Sequence, residues 1–276
     1  MRELLDVAAA VLPGEDLRGA TFAQGGSHDV VLLPGVAVVR IARKPSAVEA
    51  LPRRVELLQR LQDFPFAVPR PLTDVMQVGD YTAVALSWLP GRPLPRGAAV
   101  EPAELSGLLD ALREVDCSGL PLSEPHAYAG GTRWAEVLQL DVIPRLPADW
   151  RDEARRRVDA ALALPDVRPS LVHGDLAGEN MHWADGRLIG VLDWDLAQPS
   201  DPAVDAACLA WYGWDTLVAA VDETTMHRAR TWYGTFGLEQ IAFAVLNGES
   251  EEAIAKRCET ITAWLGRSAK ILSSSG

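Results

Sequence analysis

Residues 171–195 read LVHGDLAGENMHWADGRLIGVLDWD, and the fold follows from how this stretch has to run. An apolar run ending at Val172 predicts a short buried strand, and Gly174 and Gly178 interrupt any regular continuation. A loop therefore carries His173, Asp175 and Asn180. Beyond it, residues 181–183 and 188–192 predict two strands joined at Asp185-Gly186, because glycine tolerates the positive φ of a tight hairpin. A hairpin turns the chain back on itself, which predicts that Asp193 returns beside Asn180.

These residue types at this spacing suit phosphoryl transfer. Asp175 and Asn180 keep the D-x-x-x-x-N spacing of a kinase catalytic loop. Asp193 stands where the metal-binding Asp follows that loop, with Trp194-Asp195 in place of the usual Phe-Gly. A transferred γ-phosphoryl group spreads negative charge over its oxygens, so Mg²⁺ needs hard oxygen ligands, here the Asn180 amide and the Asp193 carboxylate. Asp175 then faces the acceptor hydroxyl, orients it and accepts its proton late in the transfer. His173 reads as a catalytic imidazole or, preferably, as a ring hydrogen-bonded to backbone that shapes the loop. Asp and Asn are also ordinary turn residues, so the joint spacing carries the reading rather than any one of them.

HGDLAGEN, then LIGVLDWD, then Asp201-Pro202 and Asp205-Ala206 resemble the aminoglycoside phosphotransferase superfamily, whose pattern runs H-G-D-x-x-x-x-N, I-D-W, D-P-x-x-D. HGDLAGENMHW and the earlier ALPRRVELLQRL look closest to the viomycin and capreomycin phosphotransferases, and macrolide phosphotransferases carry a similar HGDL loop. The resemblance spans about residues 20–245. It implies an α+β, bilobal protein-kinase-like fold, with a small antiparallel-sheet N-terminal lobe over residues 1–88 and a mainly helical lobe over 89–276. It also implies ATP or GTP as donor, Mg²⁺, and a small-molecule antibiotic as acceptor.

Composition sets the outer limits. With 276 residues and 48% hydrophobic content the chain can bury a sizeable core. Cys117, Cys208 and Cys258 lie far apart and form no C-x-x-C pair, so neither a disulfide framework nor a zinc site is predicted, and a reduced cytoplasm fits best. No membrane span and no signal peptide are expected. The net charge of -12 argues against nucleic acid as a partner and is compatible with a cationic substrate.

In the N-terminal third, Gly25, Gly26 and Ser27 interrupt β-rich runs, and such a loop can lay backbone N–H groups over nucleotide phosphates. An ordinary hairpin turn is the competing reading. Arg40, on the strand of residues 36–42, is the candidate for the phosphate-binding cation, with Arg43 as competitor. A helix is predicted over 47–62, with a kink or restart at Pro52. The resemblance implies a Glu from this helix paired with the strand cation; its place falls near Arg53, which leaves Glu49, with Glu56 as the other choice. The resemblance also places adenine against the backbone of Ser87, Trp88 and Leu89.

In the last two thirds, helices are predicted over 101–116, 131–144, 149–164, 203–213, 223–246 and 249–270. Arg155-Arg156-Arg157 reads as a solvated face, Asp201 as a helix N-cap and Asp205 as structural. Trp211 with neighbouring aromatics reads as core or as a wall for a ring-bearing substrate, with Asp195 and Asp215 as carboxylates for its amines. Residues 273–276 read as a flexible tail. A metabolic kinase acting on homoserine or choline, and a non-catalytic nucleotide-binding protein, are the rival functions.

Overall fold

The computed structural model describes residues 1–273, with side-chain surroundings through residue 269; residues 274–276 of the expected tail lie outside the described residues. The first half of the chain contains α1 (Arg2–Val11), β1 (Thr21–Gln24), β2 (His28–Leu33), β3 (Ala37–Ala42), α2 (Pro45–Arg60), β4 (Met76–Val78), β5 (Tyr81–Ser87) and α3 (Pro102–Glu114). Next come α4 (Trp134–Glu136), which widens into a π-helical stretch over Val137–Val142, then α5 (Ala148–Leu162), β6 (Ser170–Val172), β7 (Met181–Ala184), β8 (Arg187–Val191) and β9 (Gln198–Ser200). The chain closes with α6 (Ala203–Leu209), α7 (Trp214–Ala220), α8 (Glu223–Tyr233), α9 (Phe236–Leu246) and α10 (Glu251–Ser273). This is an α+β protein.

Two compact units share the chain. The strand-rich unit comprises Met1–Pro95, Ser118–Leu122 and Gly178–Asp195. Its sheet runs β1-β2-β3-β5-β4, antiparallel throughout. Val31, Leu33, Val39, Ile41, Ala83 and Ala85 bury one face against Val7, Ala8 and Val11 of α1. That is the period-2 burial expected of a half-covered antiparallel sheet. Of the kink or restart expected at Pro52, the restart does not occur: α2 is one helix through that residue, with Leu51, Val55 and Leu58 on its buried side.

The β7–β8 hairpin belongs to this same unit, which the expected division after residue 88 did not foresee. Backbone bonds explain it: Ala67 N–H reaches the Ile189 carbonyl at 3.0 Å, and Arg92 and Trp183 exchange N–H···O bonds of 3.1 and 2.9 Å. The helical unit comprises Arg96–Cys117, Ser123–Ala177 and Leu196 onward. Its core joins Val137, Leu138, Val142 and Ile143 to α5, α9 and α10. The single helix expected over 223–246 is two, α8 and α9, separated at Gly234-Thr235, where the Thr235 hydroxyl donates to Glu239 at 2.8 Å. Arg157 of the expected solvated face is buried, donating to Glu153 at 2.7 Å, the Ser268 hydroxyl at 2.8 Å and the Leu265 carbonyl at 2.9 Å.

Candidate active site

In the helical unit, β6 pairs antiparallel with β9, and the loop leaves β6 at His173. The Asp205 carboxylate, at the start of α6, accepts the N–H of His173 at 2.7 Å and of Gly174 at 2.9 Å. Burial pushes Asp205 up to about 7, against the pull of those two N–H groups. Gly174 has φ +83°, and a Cβ there would sit 3.0 Å from the Leu196 carbonyl oxygen, so any other residue would be strained at this position. His173 is fully buried and its Nδ1 accepts the Asp175 N–H at 3.2 Å, which is the loop-shaping role preferred above.

Asp175 lines a 240 Å³ cavity together with Tyr128, Cys208, Phe236, Glu239, Phe243 and Arg257. Glu239 is 3% exposed and accepts bonds from the Tyr128 hydroxyl, Trp134 Nε1 at 3.1 Å and the Thr235 hydroxyl. A buried carboxylate with this many donors is well satisfied. Burial first, and Glu239 second, push the Tyr128 phenol well up; burial likewise keeps the Cys208 thiol protonated.

The strand-rich unit holds the other residues. Met181 pairs with Val191 and the Leu192 N–H bonds the Asn180 carbonyl at 2.8 Å, so the hairpin returns Asp193 next to Asn180 in register. Asp193 has φ +54°, a left-handed conformation that Asp tolerates better than most residues. One amide oxygen and one carboxylate are a donor set that fits Mg²⁺, which keeps several waters and takes few protein ligands beside phosphate. Among the described residues no cluster of three or more His, Cys, Asp or Glu offers a fuller metal cage. The Asp195 carboxylate accepts Arg40 NH1 at 3.0 Å and NH2 at 2.6 Å, and Arg54 NH1 lies 3.0 Å from the same carboxylate. Arg40 NH1 also stands 3.5 Å from Asp193. Ahead of them, Gly25, Gly26 and Ser27 connect β1 to β2, with the Ser27 hydroxyl 2.8 Å from His28 Nδ1.

The profile of the phosphotransferase enzyme family matches residues 19–243. The chain belongs to that family. It is 34% identical to the viomycin phosphotransferase of Streptomyces vinaceus over 90% of this chain and 94% of that one. The hygromycin-B 4-O-kinase of Escherichia coli is 23% identical over 69% of this chain and 66% of its own. Among solved structures, the GDP complex of aminoglycoside 2'-phosphotransferase-IIIa superposes with a TM-score of 0.78 at 15% identity, covering 95% of this chain and 98% of that one. The macrolide 2'-phosphotransferase of Brachybacterium faecium, without ligand, gives 0.68 at 22% identity, covering 94% and 98%. These structural likenesses confirm the fold expected from the sequence.

For a phosphotransferase, several expected assignments change. Arg40 pairs with Asp195, not with Glu49, which is exposed on α2; Glu56 pairs instead with Arg60 at 3.2 Å. Arg53, at the expected acid's place, donates to the Pro121 carbonyl at 2.9 Å. Asp195 is taken up by arginines of its own chain, so its carboxylate is not open to a substrate amine as expected. Trp211 and Asp215 do not line the Asp175 cavity: the Arg96 guanidinium stacks 4.5 Å over the Trp211 ring, and Asp215 is exposed in the first turn of α7. Tyr128, Phe236 and Phe243 wall the cavity in their place. Ser87, Trp88 and Leu89 border a 290 Å³ cavity of the strand-rich unit. The Ser87 N–H is taken by the Arg70 carbonyl at 2.8 Å, and that of Trp88 points to Val36 O at 3.4 Å.

Proposed function

We propose that this phosphotransferase moves the γ-phosphoryl group of ATP or GTP to a hydroxyl of a small-molecule antibiotic, with a cationic cyclic peptide of the viomycin type as the first acceptor to try and an aminoglycoside next. The observation that carries this reading is half-buried Asp175 lining a cavity beside a buried carboxylate, Glu239. The extent of likeness to a viomycin phosphotransferase supports the acceptor class.

Asp175 orients the acceptor hydroxyl and accepts its proton as the new P–O bond forms, with no phosphoenzyme on the way. Asn180 and Asp193 would hold Mg²⁺, which when bound would neutralise charge on the donor's phosphate oxygens. Arg40 takes a phosphate oxygen, and the loop of Gly25, Gly26 and Ser27 lends it backbone N–H groups. Leu89 offers a backbone donor to the base. Aromatic rings at 128, 236 and 243 exclude water around the reacting hydroxyl. The free cysteines suit a reducing cytoplasm, where the donor nucleotides are also found. No helix among the described residues is long and apolar enough to cross a membrane, and the charge of -12 disfavours nucleic acid.

Acceptor-dependent release of ADP or GDP from purified protein tests the proposal. Release is expected with viomycin or capreomycin, and cells expressing the protein should survive raised doses of the same compound. If choline or homoserine drives release while no cyclic peptide, aminoglycoside or macrolide does, the protein is a metabolic kinase instead.

A further inference from the structure

Helix α2 meets the Asp195 carboxylate with a cation. Arg40 fills both oxygens of Asp195 with its planar fork. Arg54 reaches only Oδ2, at 3.0 Å, the oxygen already taken by Arg40 NH2. The three side chains are 14, 18 and 13% exposed for Arg40, Arg54 and Asp195. Arg54 Nε and NH1 are buried and make no hydrogen bond in good geometry.

The arrangement is electrostatically unfinished. Two guanidiniums crowd one carboxylate, and burial foremost lowers the affinity of Arg54 for its proton. A buried cation with unsatisfied donors is costly unless an anion completes it. Asp193 is the other carboxylate near Arg40, at 3.5 Å, and in the proposed function it serves the metal. His28 brings no compensating charge: its Nδ1 lies 3.2 Å from Arg40 NH2, and burial, then Arg40, lower its pKa to about 4, so the ring is neutral at pH 7. What would complete Arg54 is an anion with several oxygens around one centre, since a guanidinium fork binds such a group at two points.

We propose that Arg54 is a second phosphate-holding residue of this enzyme, acting beside Arg40 with Asp195 fixed between them, so that α2 contributes a cation to the donor's phosphates where an acid was expected. This role depends on the nucleotide-dependent transfer proposed above. Asp195 is then a positioning residue: it sets the Arg40 fork and keeps the two guanidiniums from separating.

Calorimetric titration of the whole protein with ATP, GTP, adenosine and guanosine tests it. Arg54→Gln should weaken the bound triphosphate by about 10- to 100-fold, the worth of a charge-assisted hydrogen bond, and leave the corresponding nucleoside unchanged. Arg54→Lys, which keeps the charge and loses the fork, should fall between, and it decides the matter alone if the Gln variant does not fold. Wild-type triphosphate affinity in the variant overturns the proposal. So does an equal loss for triphosphate and nucleoside, which would make Arg54 a merely structural residue. If the unaltered protein binds neither ATP nor GTP, the donor reading itself fails, a result that the variants cannot mimic.

Discussion

Asp175→Ala is expected to lower kcat by about 10²- to 10⁴-fold, the usual contribution of a positioned general base, while ATP or GTP still raises Tm as in the unaltered protein. The two readouts separate because of where the residues lie. Asp175 lines a cavity of the helical unit, whereas Arg40, Asn180 and Asp193 all belong to the strand-rich unit. In the proposed function nucleotide-induced stabilisation depends on the second group and so should survive the first substitution. Asp175→Asn keeps the shape and a hydrogen-bond acceptor but cannot take a proton; its kcat should be nearly as low. Unchanged turnover in either variant would remove Asp175 from the chemistry.

Asp205→Ala should cost the largest share of stability, about 2–5 kcal/mol, because it strands the N–H groups of His173 and Gly174 in a buried loop at about 1–3 kcal/mol each. A drop in Tm of roughly 5–10 °C follows for a chain of this size. Activity should fall beyond what unfolding explains, since the same two bonds set the backbone from which Asp175 projects. The pH dependence has a definite sign. Burial raises the folded-state value of Asp205 from 3.8 to about 7, so the fold favours the protonated carboxyl. Its contribution is complete below about pH 4 and is lost as pH rises through about 7. Melting curves across that window should therefore slope downward for the unaltered protein and flatten in Asp205→Asn. An unchanged slope would mean that another group is titrating.

Much of this was legible in the sequence because local rules suffice. The hairpin around Asp185-Gly186 needs only alternation and a turn glycine, and it alone returns Asp193 to Asn180. The HGDLAGEN loop announced itself by spacing. What could not be read depends on partners distant in the chain. Arg40 and Asp195 are 155 positions apart, and nothing local to α2 says that Arg54 faces inward while Glu49 faces solvent. The cavity wall was missed for a related reason. Tyr128 sits in a stretch that reads as loop, and Glu239 lies in a helix so apolar that its burial is visible only once Tyr128, Trp134 and Thr235 are seen to donate to it. The break between α8 and α9 follows from a side-chain bond that no periodicity records.

The interleaving of the strand-rich unit bears on how the polypeptide can be divided. A fragment ending near the exposed Gly97 would carry the five-stranded sheet but leave the backbone of Ala67 and Arg92 without the hairpin that pairs with them. The complementary fragment would carry that hairpin as an orphan. Each piece alone exposes bare strand edges and invites aggregation, so activity is expected only where the two, co-expressed, restore those backbone pairs.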